Sequence, residues 1–189
     1  MTATIVKKIV EKHASPQADL LNLRIACICS VGFAGFLRYS ELANITANHI
    51  QFEQDHVRIL ISSSKTDMYR EGNCVYIKKI DSEHRPTKIL QRYVTTSNAY
   101  AKPNLPIFRP LRFSRKEGKY QQYRTKLSYT RCREIFKHTL KELGYDEKKY
   151  GLHSLRAGGA TEAVSHGQIS ERLLKIHGRW KTDATKDMY

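Results

Sequence analysis

Four residues near the end of this chain have the types and spacing to act on a phosphate. His153 and Arg156 stand three apart in the run His153-Ser154-Leu155-Arg156-Ala157-Gly158-Gly159, and Tyr189 follows Trp180 by nine positions (189 − 180). Arginine brings a permanently charged planar fork that suits non-bridging phosphate oxygens, and histidine adds a hydrogen bond or moves a proton. Three apart on a helix, the two side chains share a face. With Ser154 as N-cap, both would stand near a helix N-terminus, which favours anions. Behind that pair and the Gly178-Arg179-Trp180 turn, Tyr189 is placed as a nucleophile toward phosphorus. Arg38 is a second candidate, directly after the apolar Gly35-Phe36-Leu37, and Glu41 three residues on is placed to hold its guanidinium. A His-x-x-Arg pair by itself is common on surface helices, so the signal lies in the combination.

The elements that must position these residues follow from the hydrophobic pattern. Ser15-Pro16 predicts an N-cap with proline at the first helical position, leading a long buried helix through Leu20, Leu23, Ile25, Ile28 and Val31 towards Phe36. A short helix is expected from Ser40, with Glu41 in its first turn. His56-Val57-Arg58-Ile59-Leu60-Ile61 and Asn73-Cys74-Val75-Tyr76-Ile77 are β-rich and separated by a polar segment containing Gly72, so a small antiparallel sheet is expected, with Lys65 just past its first strand. Pro86 opens a helical pattern through Ile89, Leu90, Tyr93 and Val94. Residues 98–126 hold three of the five prolines and predict an irregular connection. Ser128 caps an amphipathic helix through Cys132, Ile135, Phe136 and Leu140 that Gly144 ends. Short helices are expected from Ser154, near Ser170 and from about Thr182. The fold class that results is α+β, a mostly helical single domain with a small antiparallel sheet.

Composition sets the class of partner. A formal net charge of +15 over 189 residues favours a polyanion and attracts it at long range. The basic residues are spread along the chain, which predicts a folded cationic surface rather than a disordered arm. No apolar run approaches the length of a membrane span, and the N-terminus lacks the pattern of a signal peptide. Cys27, Cys29, Cys74 and Cys132 show no C-x-x-C spacing, so packed structural thiols in a reducing, intracellular compartment are expected. Neither a phosphate-cradling glycine loop nor a cluster of metal-binding carboxylates stands out, and no cofactor or metal is expected.

Taken in order, these motifs resemble the catalytic domain of the tyrosine recombinases, the phage-integrase family. Gly35-Phe36-Leu37-Arg38-Tyr39-Ser40-Glu41-Leu42 is similar to the family's first arginine motif with its acidic residue three positions on. Ser64-Lys65-Thr66 stands where the family carries a β-hairpin lysine. The run from Gly151 to Thr161 is similar to its second box, and Gly178-Arg179-Trp180 with Tyr189 completes the nine-residue step to the nucleophile. The box shapes lean towards eukaryotic mobile-element enzymes, for which the compartment would be the nucleus.

The resemblance implies a set of roles. Tyr189 would attack the scissile phosphate to give a 3′-phosphotyrosyl intermediate and a free 5′-hydroxyl. Arg38 and Arg156 would stabilise charge on the non-bridging oxygens. Lys65, preferred over Lys78 and Lys79 because it follows the first strand directly, would protonate the leaving oxygen. His153 would hold the phosphate or move a proton. Trp180 would buttress the site, in preference to His177, because it keeps the nine-residue spacing. The partner implied is double-stranded DNA, with a homo-oligomer, a tetrameric synapse, assembled on it. The resemblance also implies a catalytic domain over residues 1–189, without the family's N-terminal DNA-clamping domain and without the tail that follows the nucleophile in relatives. Two alternatives remain: a DNA-binding module that has lost catalysis, and a type IB topoisomerase with the same chemistry.

Overall fold

Helix α2, Leu20–Ala34, is apolar on nearly every side, so it can only be stable as the centre of a core. A computed structural model of the chain, describing residues 1–62, 72–80, 85–165, 170–180, 182 and 184, places it there. Leu23 and every residue from Arg24 to Gly32 are buried, and α2 packs against helices α1 (Ala3–His13), α4 (Pro86–Thr96) and α6 (His153–Ser165). The helix starts later than Ser15-Pro16 predicts. Asp19 is its N-cap, accepting the Asn22 N–H at 2.9 Å, which satisfies one of the orphan amides of the first turn. Helix α1 is an addition to the sequence expectation. Ile5, Val6, Ile9 and Val10 form its buried stripe, and Thr2 caps it.

The expected sheet exists with one more strand. Strands β1 (Ile50–Phe52), β2 (His56–Ile61) and β3 (Asn73–Lys78) run antiparallel in that order. Ile59 pairs with Ile50 on one side and Val75 on the other, so Val57, Ile59, Ile61, Val75 and Ile77 all turn inward to the core. That period-two alternation specifies the register, because a one-residue slip would expose the whole set. Residues 98–126, expected to be irregular, contain a second hairpin of β4 (Leu111–Ser114) and β5 (Lys119–Gln122) around Gly118. Helix α5 (Tyr129–Glu142) is capped by Ser128 and closed by Gly144, as the sequence predicts. Helix α6 begins at His153, so Ser154 lies inside the first turn rather than at the cap, its hydroxyl accepting the Gly151 N–H at 3.0 Å. Ser170 caps α7 (Glu171–Gly178). The helix expected from about Thr182 falls largely outside the described residues.

Cys27, Cys29 and Cys132 are buried free thiols whose pKa values burial pushes up, to about 12 for Cys132. They pack as small apolar groups. Among the described residues no helix is long and apolar enough to cross a membrane.

Candidate phosphate site

The C-terminal end of α2 is where the predicted residues meet. Gly35 follows the helix, and Phe36 takes a left-handed conformation (φ 47°) that turns the chain towards α3 (Tyr39–Ala43). Leu37 N–H reaches back to Gly32 O at 2.9 Å, closing the helix with the six-to-one hydrogen bond of a Schellman cap. This sharp turn delivers Arg38 to the N-cap of α3, and Glu41, in the first turn, accepts the Arg38 backbone N–H through Oε2 at 2.8 Å. The reach from the third helical residue back to the cap is half of a capping box, which fixes where the carboxylate sits.

Glu41 is 2% exposed, and a buried carboxylate is costly unless charged donors surround it. Two do. Arg38 Nη1 donates to Oε1 at 3.0 Å, and Arg179 Nη2 donates to Oε2 at 2.8 Å. Burial by itself would push the Glu41 carboxyl up, but Arg179, the Arg38 backbone N–H and the Arg38 guanidinium outweigh it and hold the pKa below the usual carboxylate value. Burial pushes the Arg179 guanidinium down from its ordinary value, and Glu41 opposes that shift.

Arg156 lies on the buried face of α6 and is 0% exposed. Its Nη1 donates to Phe36 O and its Nη2 to Gly178 O, and its guanidinium carbon stands 5.0 Å from the centroid of the Trp180 indole, a cation–π distance. His153 and Arg156 both lie in α6, three apart as the sequence predicts, but His153 is exposed while Arg156 is enclosed. The two remain electrostatic neighbours. The His153 pKa lies below the ordinary imidazole value, first through partial desolvation and then through the charges of Arg156 and Arg38, which disfavour a further cation. Both causes favour the neutral imidazole, the form that can accept a proton.

Trp180 is 4% exposed and forms, with Phe36, Ala160 and Leu174, a small apolar cluster under the guanidinium groups. The indole lies so close over Gly178 that any side chain there would collide with it. Gly159 on α6 is equally constrained, since a methyl group would strike Phe33 O at the end of α2. His177 has a different place. Its Nε2–H donates to Ala34 O at 2.9 Å and its ring meets Phe36 edge-on at 4.6 Å, and burial lowers its pKa. It clamps the end of α2, whereas Trp180 underlies Arg156.

The structure thus brings Arg38, Glu41, His153, Arg156 and Trp180 together around one turn. Lys65 and Tyr189 lie outside the described residues. Sequence reasoning assigned no role to Arg179, which touches Glu41, Gly35 O, Phe36 O and His177 O. Among the described residues, the three guanidiniums of Arg38, Arg156 and Arg179 and the one carboxylate of Glu41 leave a local surplus of two positive charges (3 − 1), a field suited to an anion. Arg38 is the guanidinium that an anion can reach: its side chain is 22% exposed, and only Nη1 is engaged by a described residue. Among the described residues no group of three or more His, Cys, Asp or Glu side chains could hold a metal ion.

Known proteins resemble this chain in sequence and in fold. The chain is 32% identical over 152 residues to an integrase/recombinase XerD homolog from Selenomonas ruminantium, a match that covers 79% of this chain and 42% of that protein. The chain therefore spans less than half the length of that relative. No family model matches it. The XerH site-specific recombinase bound to its difH substrate has the same fold, with a TM-score of 0.70 at 17% identity over 100% of this chain and 49% of that one. XerA recombinase gives 0.69 at 18% identity, covering 100% and 57%. FLP recombinase in a Holliday-junction complex gives 0.62 at 14% identity, covering 96% and 44%.

Proposed function

We propose that this chain, which belongs to the tyrosine recombinase/integrase family, cleaves and rejoins DNA strands through a 3′-phosphotyrosyl bond. The observation that carries the proposal is the Arg38–Glu41 arrangement, a guanidinium held by one nitrogen beside an exposed histidine and a buried second arginine. Held this way, Arg38 meets a phosphodiester with no reorganisation at the moment of reaction, which is where electrostatic stabilisation is worth most.

In the proposed step, Tyr189 Oη attacks phosphorus as His153 accepts the phenolic proton. The bond from phosphorus to the 5′-oxygen breaks, and Lys65 delivers the proton that the leaving oxygen needs. Negative charge on the non-bridging oxygens is met by Arg38, and by Arg156 once the complex opens its burial. Trp180 supports Arg156 from below. Reversal, with a 5′-hydroxyl attacking the phosphotyrosine, rejoins a strand, and the conserved ester energy is why no external energy source is required. The partner is double-stranded DNA, drawn by the net charge of +15, and a homo-oligomeric synapse assembles on it.

The test uses a nicked suicide duplex library, randomised across the cleavage region, and scores detergent-resistant protein–DNA adducts. Wild-type chain is expected to form adducts that vanish in Tyr189→Phe. Adducts that persist in that variant would overturn the assignment of the nucleophile. A second reading, binding without cleavage, is favoured by the complete burial of Arg156, whose two terminal nitrogens both donate to backbone carbonyls. It predicts salt-sensitive duplex binding and no adduct from any member of the library.

A further inference from the structure

Three helices close with the same backbone motif, and they differ in the residue placed at its left-handed position. At α5 that residue is Gly144 (φ 79°), with Tyr145 N–H reaching Leu140 O at 3.0 Å. At α2 it is Phe36 (φ 47°), and at α7 it is Arg179 (φ 56°), with Trp180 N–H reaching Lys175 O at 3.1 Å. Glycine adopts this conformation without steric cost, whereas a residue with a Cβ is strained there. At the end of α5, which contributes no side chain to the site, the chain uses glycine. At the two ends that form the site it accepts strain in order to place a large side chain.

What the Arg179 side chain gains is specific. Its Nη2 donates to Glu41 Oε2 at 2.8 Å and to Phe36 O at 2.9 Å, and its Nη1 donates to His177 O at 2.7 Å and Gly35 O at 3.3 Å. One guanidinium thereby ties together the other strained cap, the end of α2 and the carboxylate that holds Arg38. An arginine and a carboxylate left to themselves prefer a two-toothed fork, two parallel hydrogen bonds. Here that fork is blocked. Oε2 is already taken by Arg179 and the Arg38 backbone N–H, so the Arg38 side chain bonds Glu41 through Nη1 to Oε1 at 3.0 Å.

We infer that Arg179 is a positioning residue of this site: by occupying Oε2 of Glu41 it limits the hold on Arg38 to one hydrogen bond and keeps the Nε–Nη2 edge of Arg38 available to a phosphodiester. This deepens the strand-transfer reading and rests on it. Without Arg179, Glu41 would take both nitrogens of Arg38, neutralise it and withdraw it from the substrate. The effect acts through Arg38, so Arg179 itself touches no reacting atom.

The decisive variant is Arg179→Gly, because glycine is the residue that the left-handed cap ordinarily favours. If Arg179 serves only to end α7, this variant cleaves like wild type. The inference instead expects adduct formation on the suicide library to slow by about 100-fold, the scale of a misplaced catalytic group, while duplex affinity changes by no more than about threefold. In an Arg38→Ala background the same change should cost nothing more, since the group it positions is gone. Arg179→Gly combined with Glu41→Gln leaves no lone buried carboxylate and supplies a folded protein should the single variant unfold. The amide oxygen that this second change introduces has two lone pairs and, with Arg179 gone, accepts from two nitrogens of Arg38, so the double variant is expected to stay slow. Additive losses in the Arg38→Ala background, or a rate within threefold of wild type, overturn the inference.

A wild-type chain that forms no adduct sinks the strand-transfer reading, and a second measurement then decides the inference independently. Inorganic phosphate is titrated against the Arg38 Nε–Hε resonance by NMR. The inference expects a response in wild type that is weakened by about tenfold in Arg179→Gly, or in the double variant if the single one unfolds. An equal response in both proteins overturns it.

Discussion

Helix α2 carries a group of buried arginines at each end, and the two groups are built on opposite principles. Near its start, Arg24 Nη1 donates to Arg109 O at 2.8 Å, Arg109 donates to Tyr123 O and Gln122, and Gln122 Nε2 bonds the Tyr93 hydroxyl at 3.1 Å. Every acceptor there is neutral, and the network ties the β4–β5 hairpin to α2 and α4. Near its finish, Arg38 and Arg179 share one ionised carboxylate beside Arg156, and among the described residues only Nη1 of the Arg38 guanidinium is engaged. Burial of arginine is common to both ends and says nothing about function. What distinguishes the second is a carboxylate shared by two guanidiniums, one of which is partly exposed. The first end bonds neutral groups, whereas at the second a described residue engages the Arg38 guanidinium through Nη1 alone.

The largest effect that could break this comparison comes from Glu41→Ala. It leaves Arg38 and the buried Arg179 without their carboxylate, and about 3–5 kcal/mol of stability should be lost, read from the urea midpoint. A loss under about 1 kcal/mol would show that the end of α2 is held together by packing instead. Gly159→Ala comes next, at about 2 kcal/mol, because the new methyl group pushes α6 away from Phe33 O. Adduct formation should fall with it, since Arg156 rides on α6. Arg24→Met keeps an apolar stem and gives up a hydrogen bond to a neutral acceptor, so about 1 kcal/mol is expected with unchanged adduct formation by the folded protein. A tenfold loss of cleavage there would erase the distinction between the two ends.

The smallest effect is on pH dependence, and its sign differs between the ends. His153 and His177 have folded pKa values depressed below 6.5, so their contribution is complete above that value and is lost as pH falls through the folded ones. Tyr93 at the other end is raised above 10.0, so its contribution is complete below that value and disappears at strongly alkaline pH. Melting temperature followed from pH 7 to pH 5 should therefore drop less in His177→Gln, which keeps a donor for Ala34 O but does not titrate. Equal slopes in the two proteins would remove His177 from the account.

Much of this was legible in the sequence where a signal is local. The Glu41 reach to Arg38 spans three residues and follows from helix-start chemistry, and the β2–β3 alternation, the Ser128 cap and the Gly144 stop are of the same kind. The β4–β5 hairpin gave no such signal, because none of its strand side chains is fully buried and no apolar face alternates along it. Helix α1 has its stripe of Ile5, Val6, Ile9 and Val10, but that stripe is short and set among lysines, so its helicity depends on packing against α2. Arg179 was hidden for a different reason. Its partner Glu41 lies 138 residues away, and a left-handed arginine cap has no sequence pattern. The burial of Arg156 is tertiary in the same sense, since it comes from the Phe36 and Gly178 carbonyls closing over it.

The enclosure of α2 sets the order in which the molecule comes apart. Its central amides, from Cys27 to Val31, are buried beneath α1, α4 and α6, so they can exchange with solvent only when the whole fold opens. The Gly32 and Val31 carbonyls that anchor the turn at Gly35 to Leu37 belong to this slow segment. Arg38 is thus attached within a few residues to the last part of the chain to let go. Loss of the site and loss of the fold should occur as one event on heating, with no window in which a folded chain carries a disassembled site.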